Sequence, residues 1–233
     1  MGTRARAAWT IAAAGTVGAA TLALIGTGGA TSWTVQEPKA GQFRLVVVGN
    51  DAQRIPDISA APSPGACRST GGLDDWLPDP KCTPGAVTAL VTQTNIRTTI
   101  CRPGGGWGLT GGPFRPPQSI TAPAKRLMLA AYAIPKGTVT ELDHLVPITL
   151  GGSNSIANLS PEPSTKSGDF VTNPKDLVEA AMRAAVCRRK HAVPLRAAQM
   201  AMATDWRTAL TVTKAAVKVP KAAFETNTTD DSP

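Results

Sequence analysis

The four cysteines of this 233-residue chain include no C-x-x-C pair. This absence argues against a zinc ribbon and against a thioredoxin-like redox motif, because both require closely spaced cysteines. Acidic residues are few, with 16 Asp and Glu against 24 Lys and Arg. A hydrophobic content of 42% argues against a wholly disordered chain. The composition also excludes a collagen, a coiled coil and a multi-span membrane protein.

Glycine and proline are abundant, at 22 and 20 residues. Because both interrupt regular elements, we expect turns and irregular backbone to occupy much of the chain. The expected organisation is a signal peptide or membrane anchor at 1–30, a variable region with a strand and loops at 31–81, the main domain at 82–219 and a disordered tail at 220–233.

The amino terminus has the composition of an export signal. Arg4 and Arg6 precede an uncharged stretch over residues 7–36, and Gly28 and Ala30 supply the small residues of a cleavage site. An uncleaved anchor is the alternative, because the stretch reaches the ~20 residues that span a bilayer. Its glycines and threonines make it weakly hydrophobic and favour the cleaved signal. We therefore expect an exported protein that is secreted, periplasmic or associated with the cell envelope, with membrane contact only if the segment is uncleaved.

The cysteines are even in number, and the chain is expected to leave the cytoplasm. Disulfides persist in the oxidising compartments outside it. They are Cys67, Cys82, Cys101 and Cys187. Structural disulfides are their expected use, and three pairings are open. Pairing Cys82 with Cys101 is favoured, since a loop of that size would stabilise the fold by about 3 kcal/mol.

The apolar patterns together predict an α+β fold. β-Branched runs predict strands over residues 43–48 and 94–100, and two short strands over 139–149 separated near 144–147. Helical spacing predicts helices over 124–133, 176–190 and 194–210, and residues 86–93 could form a short helix. Thr121 and Pro123 are the expected cap and first-turn residues of the first helix.

One segment has the residues and order of a catalytic motif. Glu-Leu-Asp-His-Leu-Val-Pro occupies 141–147, Gly-Gly follows at 151–152, Asn-Leu stands at 158–159, and the predicted helix over 176–190 comes next. This segment resembles the HNH endonuclease family with its ββα-metal fold, whose pattern has Asp-His, a proline three residues on, a Gly-Gly turn and then Asn-Leu. Other segments are similar to an exported bacterial HNH-like group, so the resemblance covers roughly residues 82–210.

The resemblance implies a metal-dependent nuclease that hydrolyses DNA, with RNA as the other substrate, and has little sequence specificity. His144 would act as general base, Asp143 would bind the catalytic ion, and Asn158 would hold the loop. An imidazole accepts a proton near neutral pH, and a carboxylate suits Mg²⁺, with Mn²⁺, Zn²⁺ and Ni²⁺ as alternatives. Since neighbouring strand residues point to opposite faces, a bend is needed to bring both groups to one phosphate.

Further oxygen donors lie near this motif. Asn173 is the expected second metal ligand, although an asparagine before a proline also suits a helix N-cap. Glu141 could support the ion from an outer position, and Glu162 and Asp169 are additional donors. Ser160 stands where the exported relatives tend to have Trp, a departure that leaves room for a weakened or inactive enzyme.

The last third of the chain is basic, with five cations and no acid between residues 180 and 204. The cluster of Arg183, Arg188, Arg189 and Lys190 predicts a nucleic-acid surface, and a solvated basic face is the alternative. The rival functions are a catalytically inactive exported protein that binds nucleic acid, and a structural envelope domain held by disulfides. The sequence carries no signal for an oligomeric state.

Overall fold

The computed structural model describes residues 45–48, 56–103, 115–167, 170–190 and 192–214, all within the unit Gln42–Pro233. The predicted signal at 1–30, the tail at 220–233 and Asp169 lie outside these residues. None of the helices in the described ranges has the length and apolar character needed to cross a membrane.

Short strands and four helices make up the regular structure of the described residues, which confirms the α+β class. The strands are β1 (Val46–Val48), β2 (Ala86–Thr88), β3 (Thr140–His144), β4 (Leu159–Pro163), β5 (Thr165–Ser167) and β6 (Phe170–Thr172). The helices are α1 (Gln118–Ala131), α2 (Lys175–Val186), α3 (Leu195–Asp205) and α4 (Ala209–Val212). Single 3-10 turns cover Ile58–Ala60, Ile148–Leu150 and Ile156–Asn158.

The strands pair two by two. β1 runs parallel to β2, whereas β3 with β4 and β5 with β6 form antiparallel ribbons. In the central ribbon, Asp143 lies opposite Ser160 and His144 lies opposite Leu159. Since α2 begins soon after β6, the chain runs from this ribbon through a second hairpin into a helix.

Two apolar clusters form the core. In the first, α2, α3 and α4 pack on the segment after β3 through residues such as Leu150, Met182 and Met202. In the second, α1 packs on the β3–β4 ribbon through Met128 and Leu159. The buried apolar positions of α1 (Ala124, Met128 and Ala131) recur at spacings of three and four residues, which keeps one face of the helix on the ribbon.

Several element predictions are wrong, for local reasons. Residues 94–100 form turns instead of a strand, because the side-chain oxygen of Asn95 accepts from Thr92 N and its carbonyl accepts from the amides of Thr98 and Thr99. α1 begins at Gln118, before Thr121, because the carbonyl of Pro117 already accepts the first helical hydrogen bonds. Residues 148–150 form a 3-10 turn in place of the second strand expected within 139–149. Residues 86–88 form a strand and not the start of the short helix that the sequence allows over 86–93.

The helices after the hairpins are shorter than the pattern predicts. α2 ends at Val186, and Arg97 donates to the carbonyls of Cys187 and Arg188 just beyond its last turn. The continuous helix expected over 194–210 is divided into α3 and α4.

The disulfides join Cys67 to Cys82 and Cys101 to Cys187, so the favoured pairing of Cys82 with Cys101 is wrong. Tertiary packing decides between the pairings. The amide of Cys67 donates to Ala131 O, so this cysteine lies at the end of α1 and in the second core cluster. Cys187 follows α2 directly and is linked to the turn that ends at Cys101.

Candidate functional site

Strand β3 distributes the residues of the predicted motif over two faces. Its pairing with β4 is continuous as far as His144, so no bend occurs within the strand. Leu142 and His144 line a pocket, whereas Glu141 and Asp143 contact side chains from the start of α2 and from the segment before it. The expected convergence of Asp143 and His144 on one point is therefore not formed, as the alternation of a regular strand requires.

The pocket beside His144 has a volume of about 410 Å³. Its lining comes from one distant proline, the first turn of α1 and the residues before it, the β3–β4 ribbon and the loop between β3 and β4: Pro56, Arg115, Pro116, Pro117, Gln118, Thr121, Leu142, His144, Asn154 and Leu159. Arg115 is exposed and brings positive charge to this lining. The sequence analysis assigned Arg115 no role.

His144 is held in the neutral form. Burial lowers its pKa to about 4 and outweighs the nearby Asp143 carboxylate and the Asn154 hydrogen bond, both of which raise it. Nε2 of His144 lies 2.8 Å from Oδ1 of Asn154. An amide oxygen only accepts, so Nε2 carries the hydrogen and Nδ1 keeps the lone pair. The ring is therefore able to accept a proton at neutral pH.

Asn158 holds the loop that follows β3 through hydrogen bonds of its side-chain amide. Its Oδ1 accepts from Ala86 N at 3.1 Å and Val146 N at 2.9 Å. Its Nδ2 donates to Val146 O at 2.9 Å and Ser153 O at 3.0 Å. The side chain is fully buried, and all four hydrogen-bonding positions of its amide are used.

The Gly-Gly turn is required by close packing. Gly151 has φ +80°, and a Cβ there would lie 2.8 Å from the Cβ of Val91. A Cβ at Gly152 would collide with the carbonyl of Val146. Both glycines therefore serve the loop that Asn158 closes, and no ligand is needed to explain them.

A buried ammonium lies beside Asp143. Lys175, at the start of α2 and only 1% exposed, donates to the carboxylates of Asp143 and Glu179 and to His144 O at 2.9 Å. Glu162 Oε2 lies 4.0 Å from the same nitrogen. Sequence reasoning missed this lysine, although its spacing of four residues from Glu179 at a helix start is a recognisable pairing signal.

The charges of this cluster are strongly coupled. Burial alone would lower the pKa of Lys175, but the carboxylates of Asp143, Glu179 and Glu162 outweigh it and raise that pKa well above its usual value. Burial alone would raise the pKa of Asp143, but the Lys175 charge and hydrogen bonds outweigh burial and lower that pKa below its usual value. Burial, followed by the Asp143 charge, raises the pKa of Glu141 to about 8. Asp143 is thus the ionised partner of Lys175.

Asn173 caps α2. Its Oδ1 accepts from Lys175 N at 2.9 Å and from Asp176 N at 3.3 Å, and its Nδ2 donates to Glu141. Ser164 Oγ donates to the same Glu141 oxygen at 3.1 Å. The amide of Asn173 therefore has protein partners on both ends, which agrees with its interpretation as an N-cap.

The predicted ligands do not fit a metal ion in this arrangement. Hard divalent cations need several oxygens directed at one point. Asp143 is bound to Lys175, and Asn173 is bound to the helix and to Glu141. In the described ranges, no three His, Cys, Asp or Glu side chains form a group that could hold a metal. Glu162 Oε1 is buried and has no hydrogen-bond partner among the described residues, so one carboxyl oxygen beside Lys175 is unsatisfied.

The predicted basic surface lies at the far end of α2. Arg183 is half-buried and donates to Ile100 O at 3.0 Å, so it has a structural contact. Arg189 and Lys190 are exposed beyond the helix end. At about 1.5 Å per residue, the helix separates them from Lys175 by roughly 20 Å. The cations at this end of α2 are therefore distant from the Lys175 ammonium, whereas Arg115 lies at the His144 pocket.

No family model, curated protein or solved structure matches this chain. The resemblance to HNH endonucleases therefore stays a prediction from the residues of the motif.

Proposed function

We propose that this chain is an HNH-like phosphodiesterase that cleaves DNA or RNA, with His144 as general base. One observation supports this function above the others: a neutral, oriented imidazole lines a pocket of about 410 Å³ beside an exposed arginine. A phosphodiester needs a base for the attacking water and positive charge for its oxygens. His144 and Arg115 supply these two requirements on one surface.

In the proposed reaction, Nδ1 of His144 takes a proton from a water as that water attacks the phosphorus. A bond forms between the water oxygen and phosphorus, the bond to the leaving nucleotide oxygen breaks, and that oxygen takes up a proton from solvent while His144 returns its proton to solvent. The guanidinium of Arg115 donates N–H groups that stabilise the phosphate oxygens. Asn154 keeps the hydrogen on Nε2, which leaves Nδ1 as the basic atom. General-base catalysis of this kind contributes about 10²–10⁴ in rate.

The resemblance also predicts a divalent ion, with Mg²⁺ first. Asp143 is bound to Lys175, and the side-chain oxygen of Asn173 is bound to the first turn of α2, so no step of the proposed reaction passes through a metal. Metal dependence is tested by the same assay as cleavage. The two disulfides support export as a proposal, because disulfides persist in oxidising compartments.

The test is nicking of supercoiled plasmid, and cleavage of single-stranded RNA, by the full-length chain with Mg²⁺ and with EDTA. We expect His144→Ala to reduce the cleavage rate by at least about 10²-fold. His191→Ala, which removes the other histidine, is the matched control and should keep the wild-type rate. Undiminished cleavage by His144→Ala would contradict the proposed role of this residue.

A non-catalytic nucleic-acid-binding protein is the second candidate. The exposed cations that follow α2 favour it, because phosphate contacts alone give affinity without cleavage. Salt-sensitive binding of DNA by the wild type, with no cleavage under any metal condition, would support this candidate over the enzyme.

A further inference from the structure

The strand face that is turned away from the His144 pocket contacts an ion cluster, here called the Lys175 cluster. It consists of Lys175 with Asp143, Glu162 and Glu179. The side chains of Lys175 and Glu162 are 2% and 3% exposed, and those of Asp143 and Glu179 are 14% and 17% exposed. Three carboxylates therefore surround one cation in a site that is largely closed to water.

The ammonium uses all of its hydrogen-bonding capacity. A lysine ammonium has three N–H donors and no acceptor. In this cluster they reach Asp143, Glu179 and the carbonyl of His144. Two of these partners are carboxylate groups and the third is a main-chain oxygen, which are the ligand types that hard divalent cations also take.

The cluster has more carboxyl oxygens than the ammonium can satisfy, and burial raises the pKa of Glu162 well above its usual value. Glu162 is 2% exposed, and its Oε1 has no hydrogen-bond partner in the described part of the chain. Its other carboxylate oxygen is 4.0 Å from Lys175 Nζ. An unpaired oxygen in a buried acid group is costly and favours a further positive charge or a proton.

From these contacts we propose that the Lys175 ammonium is the built-in cation of this cluster, in the position beside Asp143 that the HNH resemblance gives to a metal ion. The ammonium blocks divalent ions from the wild-type cluster. Its removal leaves the two carboxyl groups that it bound, those of Asp143 and Glu179, and the His144 carbonyl around the vacated volume, which are ligand types suited to Mn²⁺, Mg²⁺ or Ca²⁺. Lys175 is then also a positioning residue, since it links α2 to the end of β3 at His144 O.

The test measures Mn²⁺ binding to the full-length chain by electron paramagnetic resonance, without nucleic acid. We expect Lys175→Met to bind one Mn²⁺ per chain at least about tenfold more tightly than the wild type. Adding Asp143→Asn to Lys175→Met should abolish that gain. Lys166→Met, which removes an exposed lysine from β5, is the matched control and should leave Mn²⁺ binding unchanged.

The wild-type protein decides the proposal even if Lys175→Met does not fold. We expect the wild-type chain not to bind Mn²⁺ at one ion per chain. One Mn²⁺ per wild-type chain, released by Asp143→Asn, would overturn the proposal. A folded Lys175→Met chain with no gain in Mn²⁺ affinity would also overturn it. Because no cleavage is measured, these outcomes are independent of the proposed role of His144.

Discussion

Replacing Asn158 by alanine tests how the loop beside the candidate site is held. The substitution leaves two main-chain N–H groups, of Ala86 and Val146, and two carbonyls, of Val146 and Ser153, without their partner. Each net hydrogen bond contributes about 1 kcal/mol, so the four together predict a loss of about 4 kcal/mol in the free energy of unfolding. The site is fully buried, so water cannot readily replace the lost contacts.

Urea unfolding monitored by tryptophan fluorescence measures this loss. With a denaturant slope of about 2 kcal/mol/M, the midpoint for Asn158→Ala should fall by about 2 M. Asn95→Ala is the matched control, because this half-buried side chain makes two comparable hydrogen bonds, with Thr92 N and with Leu90 O. The loss in the free energy of unfolding for Asn95→Ala should be half of that for Asn158→Ala or less. A loss below about 1 kcal/mol for Asn158→Ala would refute the reasoning, since the loop would then hold without the amide.

Two further predictions concern proton transfer and covalent links. Burial lowers the pKa of His144 to about 4, so its neutral form persists well below neutral pH. A cleavage reaction that uses this form should keep its rate from pH 8 down to about pH 5 and slow only below that. A pH–rate profile in which half of the rate is lost near pH 6.5 would contradict this prediction. Replacing both Cys101 and Cys187 by serine should lower the free energy of unfolding by about 4.5 kcal/mol in the chain-entropy model, because 86 residues separate them. The same replacement of Cys67 and Cys82, which are 15 residues apart, should lower it by about 3 kcal/mol. Urea midpoints of the two double variants check that order, and a larger loss for the shorter loop would contradict it.

Parts of the candidate site were predictable because their cause is local. The Gly-Gly turn and Asn158 lie within one short loop, and the loop needs a small residue and an amide at those places. The helix that begins near Asp176 was recognisable from its apolar spacing. Asn173 was given two roles from the sequence, and its hydrogen bonds to the first turn of α2 match the capping role.

Other parts depended on contacts between distant segments. The cysteine pairing could not be read from loop length, because the packing of Cys67 against α1 brings it to Cys82. Residues 159–163 form the partner strand of β3, although two prolines make the segment a poor strand by propensity. Residues 94–100 have the β-branched content of a strand but form turns, because local hydrogen bonds stabilise the turn conformation.

The amino-acid sequence by itself determined the α+β class, the loop chemistry of Gly151, Gly152 and Asn158, and the presence of a histidine beside an acid. Each of these depends on residues that are neighbours in the chain. Only the tertiary structure decided that Asp143 faces Lys175 while His144 faces the pocket. That choice requires β4 to pair with β3 and the start of α2 to reach the side of β3 that carries Asp143. A buried carboxylate then binds the nearest cation that the fold supplies.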